Sequence, residues 1–227
     1  MTQLRDAYIV AATRTPIGKS GRGVFKNTRP DDLLVAVIKS ALSQVPSLDP
    51  AAIEDAIIGC AMPEAEQGMN VAKIAALLSG LPKTVAGATV NRFCAAGITA
   101  VSMAADRIRV GEAEVMIAGG VESMSMVPMG GNKPSFNPSI VNNDENVGIA
   151  YGMGMTAEKV AEQWQVTREE QDAFAVESHR RAVAAQQAGF FKAETTPDRN
   201  RSAHTQPGNR RSDDHQEDDL ARRRCAP

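Results

Sequence analysis

The sequence predicts an α/β fold of layered sheets and helices, and three observations carry that prediction. Short apolar runs alternate with segments of helical period up to about Glu194. A strand, a helix and a second strand follow one another between residues 88 and 118, the roughly 30-residue length of a βαβ unit. The 227 residues are 43 % apolar, enough for a substantial core in one large domain or two small ones.

The elements follow in order along the chain. Residues 7–11 (AYIVA) read as a first strand. Between Asp31 and Val45, the residues Leu33, Leu34, Val37, Ile38, Ala41, Leu42 and Val45 recur at helical spacing, with Asp31 or Asp32 placed to serve the helix N-terminus. Residues 56–60 read as a second strand, and 71–79 as a helix ended by Gly80 and Pro82. A short strand over 88–91 runs into Cys94, a helix over 97–110 stops at Gly111, and a strand over 114–118 closes on Gly119 and Gly120. From Glu122 to Gly154 the composition turns to Met, Pro, Gly and Asn with little periodicity, which predicts a long irregular excursion of the functional kind. Within it, Met124, Met126 and Met129 are expected to pack the loop against its domain. Helices are predicted over 156–164 and 167–188, the second opening with Thr167 and Glu170 as a capping box. After Glu194 the chain holds no Val, Ile, Met, Phe, Tyr or Trp and a single Leu220. A segment of that composition cannot bury a core, so residues 195–227 are expected to form a disordered polar tail.

Charge and cysteine content narrow the function classes. The formal net charge is −2, with Lys and Arg spread along the chain, so no strong field attracts nucleic acid or anionic lipid. Asp6 and Pro16 interrupt the basic-then-apolar shape of a secretory leader. No stretch approaches the ~18 consecutive apolar residues of a membrane helix. Cys60, Cys94 and Cys225 are odd in number and widely spaced, which argues against a disulfide framework or a metal site and for a reducing, cytoplasmic compartment. Small-molecule chemistry is the expectation that remains.

Cys94 is the residue on which such chemistry centres. At a strand-to-helix junction, backbone N–H groups and the helix dipole aim at the sulfur and favour its thiolate. Ala95, Ala96 and Gly97 leave room for another molecule to approach. Residue types alone leave open the alternative that Cys94 is a small core hydrophobe.

The segment VNRFCAAGITAV, residues 90–101, resembles the part of the thiolase family around its acyl-accepting cysteine. Arg14-Thr15-Pro16-Ile17-Gly18, Arg29-Pro30-Asp31-Asp32-Leu33 and Gly119-Gly120-Val121-Glu122-Ser123-Met124-Ser125 are similar to further family landmarks, in the family's order and spacing. Gly154-Met155-Thr156-Ala157-Glu158 and Gln187-Ala188-Gly189-Phe190-Phe191-Lys192-Ala193-Glu194 continue the likeness, which covers residues 5 to 194.

The resemblance implies the thiolase fold, with mixed sheets covered by helices. Residues 1–121 would be its N-terminal core domain with the nucleophile, and 122–194 part of its loop and substrate-pocket region. It implies that Cys94 attacks the C3 carbonyl of a 3-oxoacyl-CoA, that acetyl-CoA departs, and that CoA collects the shortened acyl group from sulfur. CoA is then a co-substrate, with no metal or prosthetic group, and the intact relatives are homodimers or homotetramers.

In thiolases a His and a second Cys, in Gly-His-Pro and Cys-x-Gly-Gly motifs of the C-terminal half, complete the chemistry. Neither motif occurs here. His179 reads as a surface helix residue, His204 and His215 fall in the polar tail, and Cys60 reads as a core thiol. A shifted reading frame would account for the tail, and the chain as given is expected to be inactive alone.

Short-chain biosynthetic thiolases carry His-Met where this chain has Gly152-Met153, so the resemblance points to the degradative 3-ketoacyl-CoA branch of fatty-acid β-oxidation. Met153 becomes an acyl-chain contact on that reading and an ordinary gap-filling methionine on the other. Glu122, after the glycine pair, reads equally as a charged active-site residue and as a carboxylate that satisfies nearby backbone N–H groups, and it is assigned no catalytic role. The alternatives are an acetoacetyl-CoA thiolase, a non-catalytic acyl-CoA-binding protein and an inert fragment.

Overall fold

The structure, a computed structural model, describes residues 4–142 and 145–196. Its centre is a three-stranded parallel sheet in the order β2-β1-β3, formed by β1 (Asp55–Gly59), β2 (Ala86–Val90) and β3 (Met116–Gly120). β1 lies between the other two, and all five of its residues are buried. Strands covered on both faces read as continuous apolar runs, which is why DAIIG shows no alternation.

Helices cover the two faces separately. On one face α1 (Pro30–Ser43) and α2 (Val71–Leu78) supply Leu34, Ile38, Val71, Ala72, Ala75 and Ala76, which pack with Ile58 and Cys60. On the other, α3 (Ala96–Arg109) lays Ala100 and Ala104 against Ile57, Val90 and Met116. Ile57 and Ile58 thus face opposite layers, as neighbours on a strand must. Each fully buried Ile or Val here contributes roughly 1.5–3 kcal/mol of transfer free energy. The Arg107 guanidinium bridges Asp55 and Glu112, and these carboxylates hold its pKa above the usual arginine value.

The predicted elements survive with shifted ends. The strand expected over 114–118 is Met116–Gly120, because its ladder with β1 runs from Met116 opposite Asp55 to Gly120 opposite Gly59. Gly80 and Gly111 take left-handed φ of 87° and 76° where α2 and α3 stop. The N-cap of α1 is Arg29, with no side-chain capping bond, and Asp31 in the first turn accepts the Asp32 N–H at 3.1 Å and a two-pronged bond from Arg29.

The first predicted strand is a correction. Residues 7–11 form no ladder, and Tyr8, Ile9 and Val10 are 74–79 % exposed. A strand exists only beside a partner that satisfies its N–H and C=O groups, and among the described residues none pairs with this segment. The apolar alternation is present, but the partner is not.

Pairing occurs further along instead. The Arg14 N–H bonds the Glu194 carbonyl and the Thr196 N–H bonds the Arg14 carbonyl, each at 2.8 Å. The Arg14 side chain meets the Glu194 carboxylate at 2.6 Å and lies over the Phe191 ring. Thr195 and Thr196, expected to open the polar tail, are therefore tied to the N-terminal segment. The rest of that expectation falls on residues 197–227, outside the described residues.

Beyond β3 the described residues of the expected irregular excursion form α4 (Pro138–Val141) and a 3-10 turn, Val147–Ala150. Val127, completely buried, anchors it, whereas Met124 and Met129 are exposed. The expectation that the methionines pack the loop is thus corrected for Met124 and Met129, while Met126 is half-buried and the branched Val127 fits the core. Two helices follow, α5 (Met153–Trp164) and α6 (Arg168–Gln187), neither with a buried residue. The Thr167–Glu170 capping box is present in both directions.

Candidate active site

Val90, Gly59 and Gly120 stand side by side at the carboxyl ends of the three parallel strands. The segments leaving them, 91–95, 60–67 and 121–127, therefore gather at one edge. In open α/β sheets this is the edge where ligands bind.

The segment from β2 carries Cys94. Asn91 accepts the Phe93 N–H through its side chain at 2.8 Å, the short-range bond that makes asparagine a turn former. Phe93 is held at φ 47°, a left-handed conformation that a bulky residue adopts only at some cost, of order 1–3 kcal/mol. Ala95 and Ala96 donate back to the Arg92 and Phe93 carbonyls, and α3 begins at Ala96. Cys94 therefore sits on a tight elbow, two residues before the helix, and its side chain is exposed. Apart from its chain neighbours and the backbone of its own helix, nothing lies within 4 Å of where a Gly97 Cβ would stand. The alternative of Cys94 as a core hydrophobe does not survive its exposure.

The segments from β1 and β3 are locked to each other. Glu122 accepts the Ala61 N–H at 2.7 Å and the Gln67 side-chain amide at 2.6 Å. Gln67, completely buried, also donates to the Met62 carbonyl and accepts the Ser123 N–H. Of the two readings open to Glu122, these bonds match the backbone-satisfying one. Glu64 reaches further and accepts the Asn132 N–H, and the Ser125 hydroxyl accepts the Gly21 N–H at 2.9 Å. The excursion is thus pinned to this edge through Glu64 and to the N-terminal loop through Ser125.

Cys60 is a core thiol, as predicted. It is 1 % exposed, and burial, followed by the nearby Glu122 charge, pushes its pKa up from an ordinary 9.0 to about 11. Its thiol therefore stays protonated near neutral pH. His179 lies exposed on α6, its Nδ1 against the Ala175 carbonyl of the same helix at 2.9 Å. Met153 begins α5 and is 59 % exposed, so no enclosed cavity surrounds it. Among the described residues, no cluster of His, Cys, Asp and Glu forms a metal site, and no helix is long and apolar enough to cross a membrane.

Two features had no clear trace in the sequence. Nothing in the spacing of Gln67 marks a buried amide that joins two loops. The Asn91 turn is local, since an Asn side chain bonds the backbone two residues on, but the left-handed φ of Phe93 leaves no mark in the residue types.

Comparison with known proteins bears on the same elements. The family model for the thiolase N-terminal domain matches residues 7–224. The chain is 44 % identical over 194 residues to the 3-ketoacyl-CoA thiolase of Bacillus subtilis (strain 168), covering 86 % of this chain and 49 % of that protein. It is 45 % identical over 192 residues to the 3-ketoacyl-CoA thiolase of Shewanella putrefaciens, covering 84 % and 49 %. A crystal structure of the Bacillus anthracis acetyl-CoA acetyltransferase superimposes with a TM-score of 0.73 at 33 % identity, over 87 % of this chain and 52 % of that one. The chain spans about half the length of the curated relatives it matches. With the sheet order, the elbow and these likenesses in hand, the chain belongs to the thiolase family, and its described fold matches the N-terminal half of a thiolase.

Proposed function

We propose that this chain supplies the nucleophilic half of an acyl-CoA C-acyltransferase that cleaves 3-oxoacyl-CoA with CoA. The observation that carries the reading is the exposed Cys94 on a strained elbow at the carboxyl edge of a parallel sheet. The Cys94 sulfur adds to the C3 carbonyl, and the C2–C3 bond breaks. The two-carbon fragment leaves as the enolate of acetyl-CoA and takes a proton. The remaining acyl group stays on Cys94 as a thioester until the CoA thiol attacks it and frees the sulfur. The first turn of α3 supplies N–H groups on the side where negative charge develops. The proton donor and acceptor belong, in this reading, to the half of the relatives that the alignment does not cover. A cytoplasmic homodimer or homotetramer is the form in which the two halves would act, and the chain alone is inactive.

The degradative branch is favoured over the acetoacetyl-specific one by Gly152-Met153, where a histidine is missing, and by the names of the relatives. Met153 then contributes to the acyl pocket once that pocket is closed by further structure. The test is a fusion of residues 1–194 to the C-terminal half of the Bacillus subtilis relative, assayed for thiolysis of 3-oxoacyl-CoA esters of graded length. Cleavage of medium and long chains supports the degradative reading, and cleavage of acetoacetyl-CoA alone supports the biosynthetic one. A folded fusion that binds CoA and cleaves nothing leaves the non-catalytic acyl-CoA-binding protein as the better account.

A further inference from the structure

The start of α3 rests on the sheet with almost no side chain between them. A Cβ placed on Gly59 would stand 2.5 Å from the Gly97 nitrogen and closer still to the Ala96 carbonyl, distances that real Cβ atoms essentially never show. A Cβ on Gly120 would meet the Gly59 oxygen and the Gly97 Cα at 3.4 Å, at the tight end of ordinary contact. One residue earlier on β3 the situation differs, because a Cβ on Gly119 would meet only the Ile58 Cδ1, at 3.7 Å. Ala96 itself is buried, and Gly59 and Gly120 are ladder partners. The opposing atoms around Gly59 are backbone, so they cannot rotate out of the way of an added methyl.

We propose that Gly59 and Gly120 are positioning residues that fix the Cys94 sulfur by seating the Ala96–Gly97 peptide directly on the strand ends. The inference rests on the reading of Cys94 as nucleophile. The seat sets both height and direction of the first helical turn. The elbow then transmits that setting to the sulfur over two residues, through the Phe93–Ala96 and Arg92–Ala95 bonds. A methyl on Gly59 lifts the turn. A larger group on Gly120 tilts it, and the sulfur loses its alignment with the N–H groups beside it.

The experiment is iodoacetamide alkylation of the full chain as a function of pH, with Cys94 and Cys60 followed separately by peptide mass. Buried Cys60 reports whether the sheet end is intact, and glutathione serves as the free-thiol reference. Gly59→Ala and the graded pair Gly120→Ala and Gly120→Val are compared with Gly119→Ala. The expected result is a several-fold slower reaction at Cys94, and a displaced pH–rate profile, in Gly59→Ala and Gly120→Val. A smaller effect is expected in Gly120→Ala and none in Gly119→Ala, with Cys60 protected throughout. If Gly59→Ala does not fold, the Gly120 pair decides alone. Superimposed profiles across the series, or a loss that appears only when Cys60 becomes reactive, would overturn the seat. A Cys94 that takes up no acyl group in the folded fusion with the C-terminal half of the Bacillus subtilis relative would instead count against the nucleophile reading, whatever the variants do.

Discussion

Two thiols in one small domain meet opposite fates. Cys94 is presented to solvent by a strained turn, while Cys60 is sealed beneath the edge that Glu122 and Gln67 tie together. The sign of the pH effect on Cys60 follows from its proton. The folded state holds that proton up to about 11 and the unfolded chain releases it near 9.0, so its contribution is complete below pH 9 and is lost as the pH climbs from there to about 11. Urea unfolding should therefore show a steeper loss of stability over that window in the wild type than in Cys60→Ala. Equal slopes would mean that Cys60 is not held in this way. Because the Glu122 charge adds to the burial, Glu122→Gln should lower the Cys60 pKa while leaving an amide group facing the donors of Ala61 and Gln67. The unpaired donor costs about 1–3 kcal/mol.

At the scale of elements, the helices differ in what holds them. α1, α2 and α3 are fastened by apolar faces against the sheet, whereas α6 has no buried residue and relies on its own local bonds. Thr167→Ala removes one direction of its capping box and should cost about 0.5–2 kcal/mol. Measured by amide exchange, the loss should stay within the first turns of α6 and leave β1 untouched. Protection lost equally in β1 would show that α6 and the sheet unfold together.

This contrast also explains what was legible from residues alone. Helices with an apolar stripe and a glycine stop, and the Thr167–Glu170 box, were written locally and appear within a few residues of expectation. β3 was displaced by two residues because its ends are set by register with β1, which no local pattern encodes. The strand expected over 7–11 failed for the same reason at larger range: its residues have the right alternation, but strand formation depends on a partner. Cys94 was legible because its elbow is local. The Gln67 lock and the Gly59 seat were not, since each joins segments far apart in sequence.

For the whole molecule, the described residues leave many large apolar side chains exposed, among them Tyr8, Ile9, Val10, Trp164, Phe174 and Phe190. Exposed apolar side chains in this number favour self-association. Sedimentation velocity on the isolated chain should therefore show species larger than the 24.1 kDa monomer growing with concentration. A single sharp monomer boundary at every concentration would contradict this.

The central claim is that Cys94 carries the acyl group, and one measurement reaches it directly. The fusion of residues 1–194 to the C-terminal half of the Bacillus subtilis relative is incubated with acetyl-CoA, quenched in acid and digested, and the peptide containing Cys94 is weighed. The account predicts an acetyl group on Cys94, removed on adding free CoA and absent from Cys94→Ser. A folded, CoA-binding fusion whose Cys94 remains unmodified would contradict it.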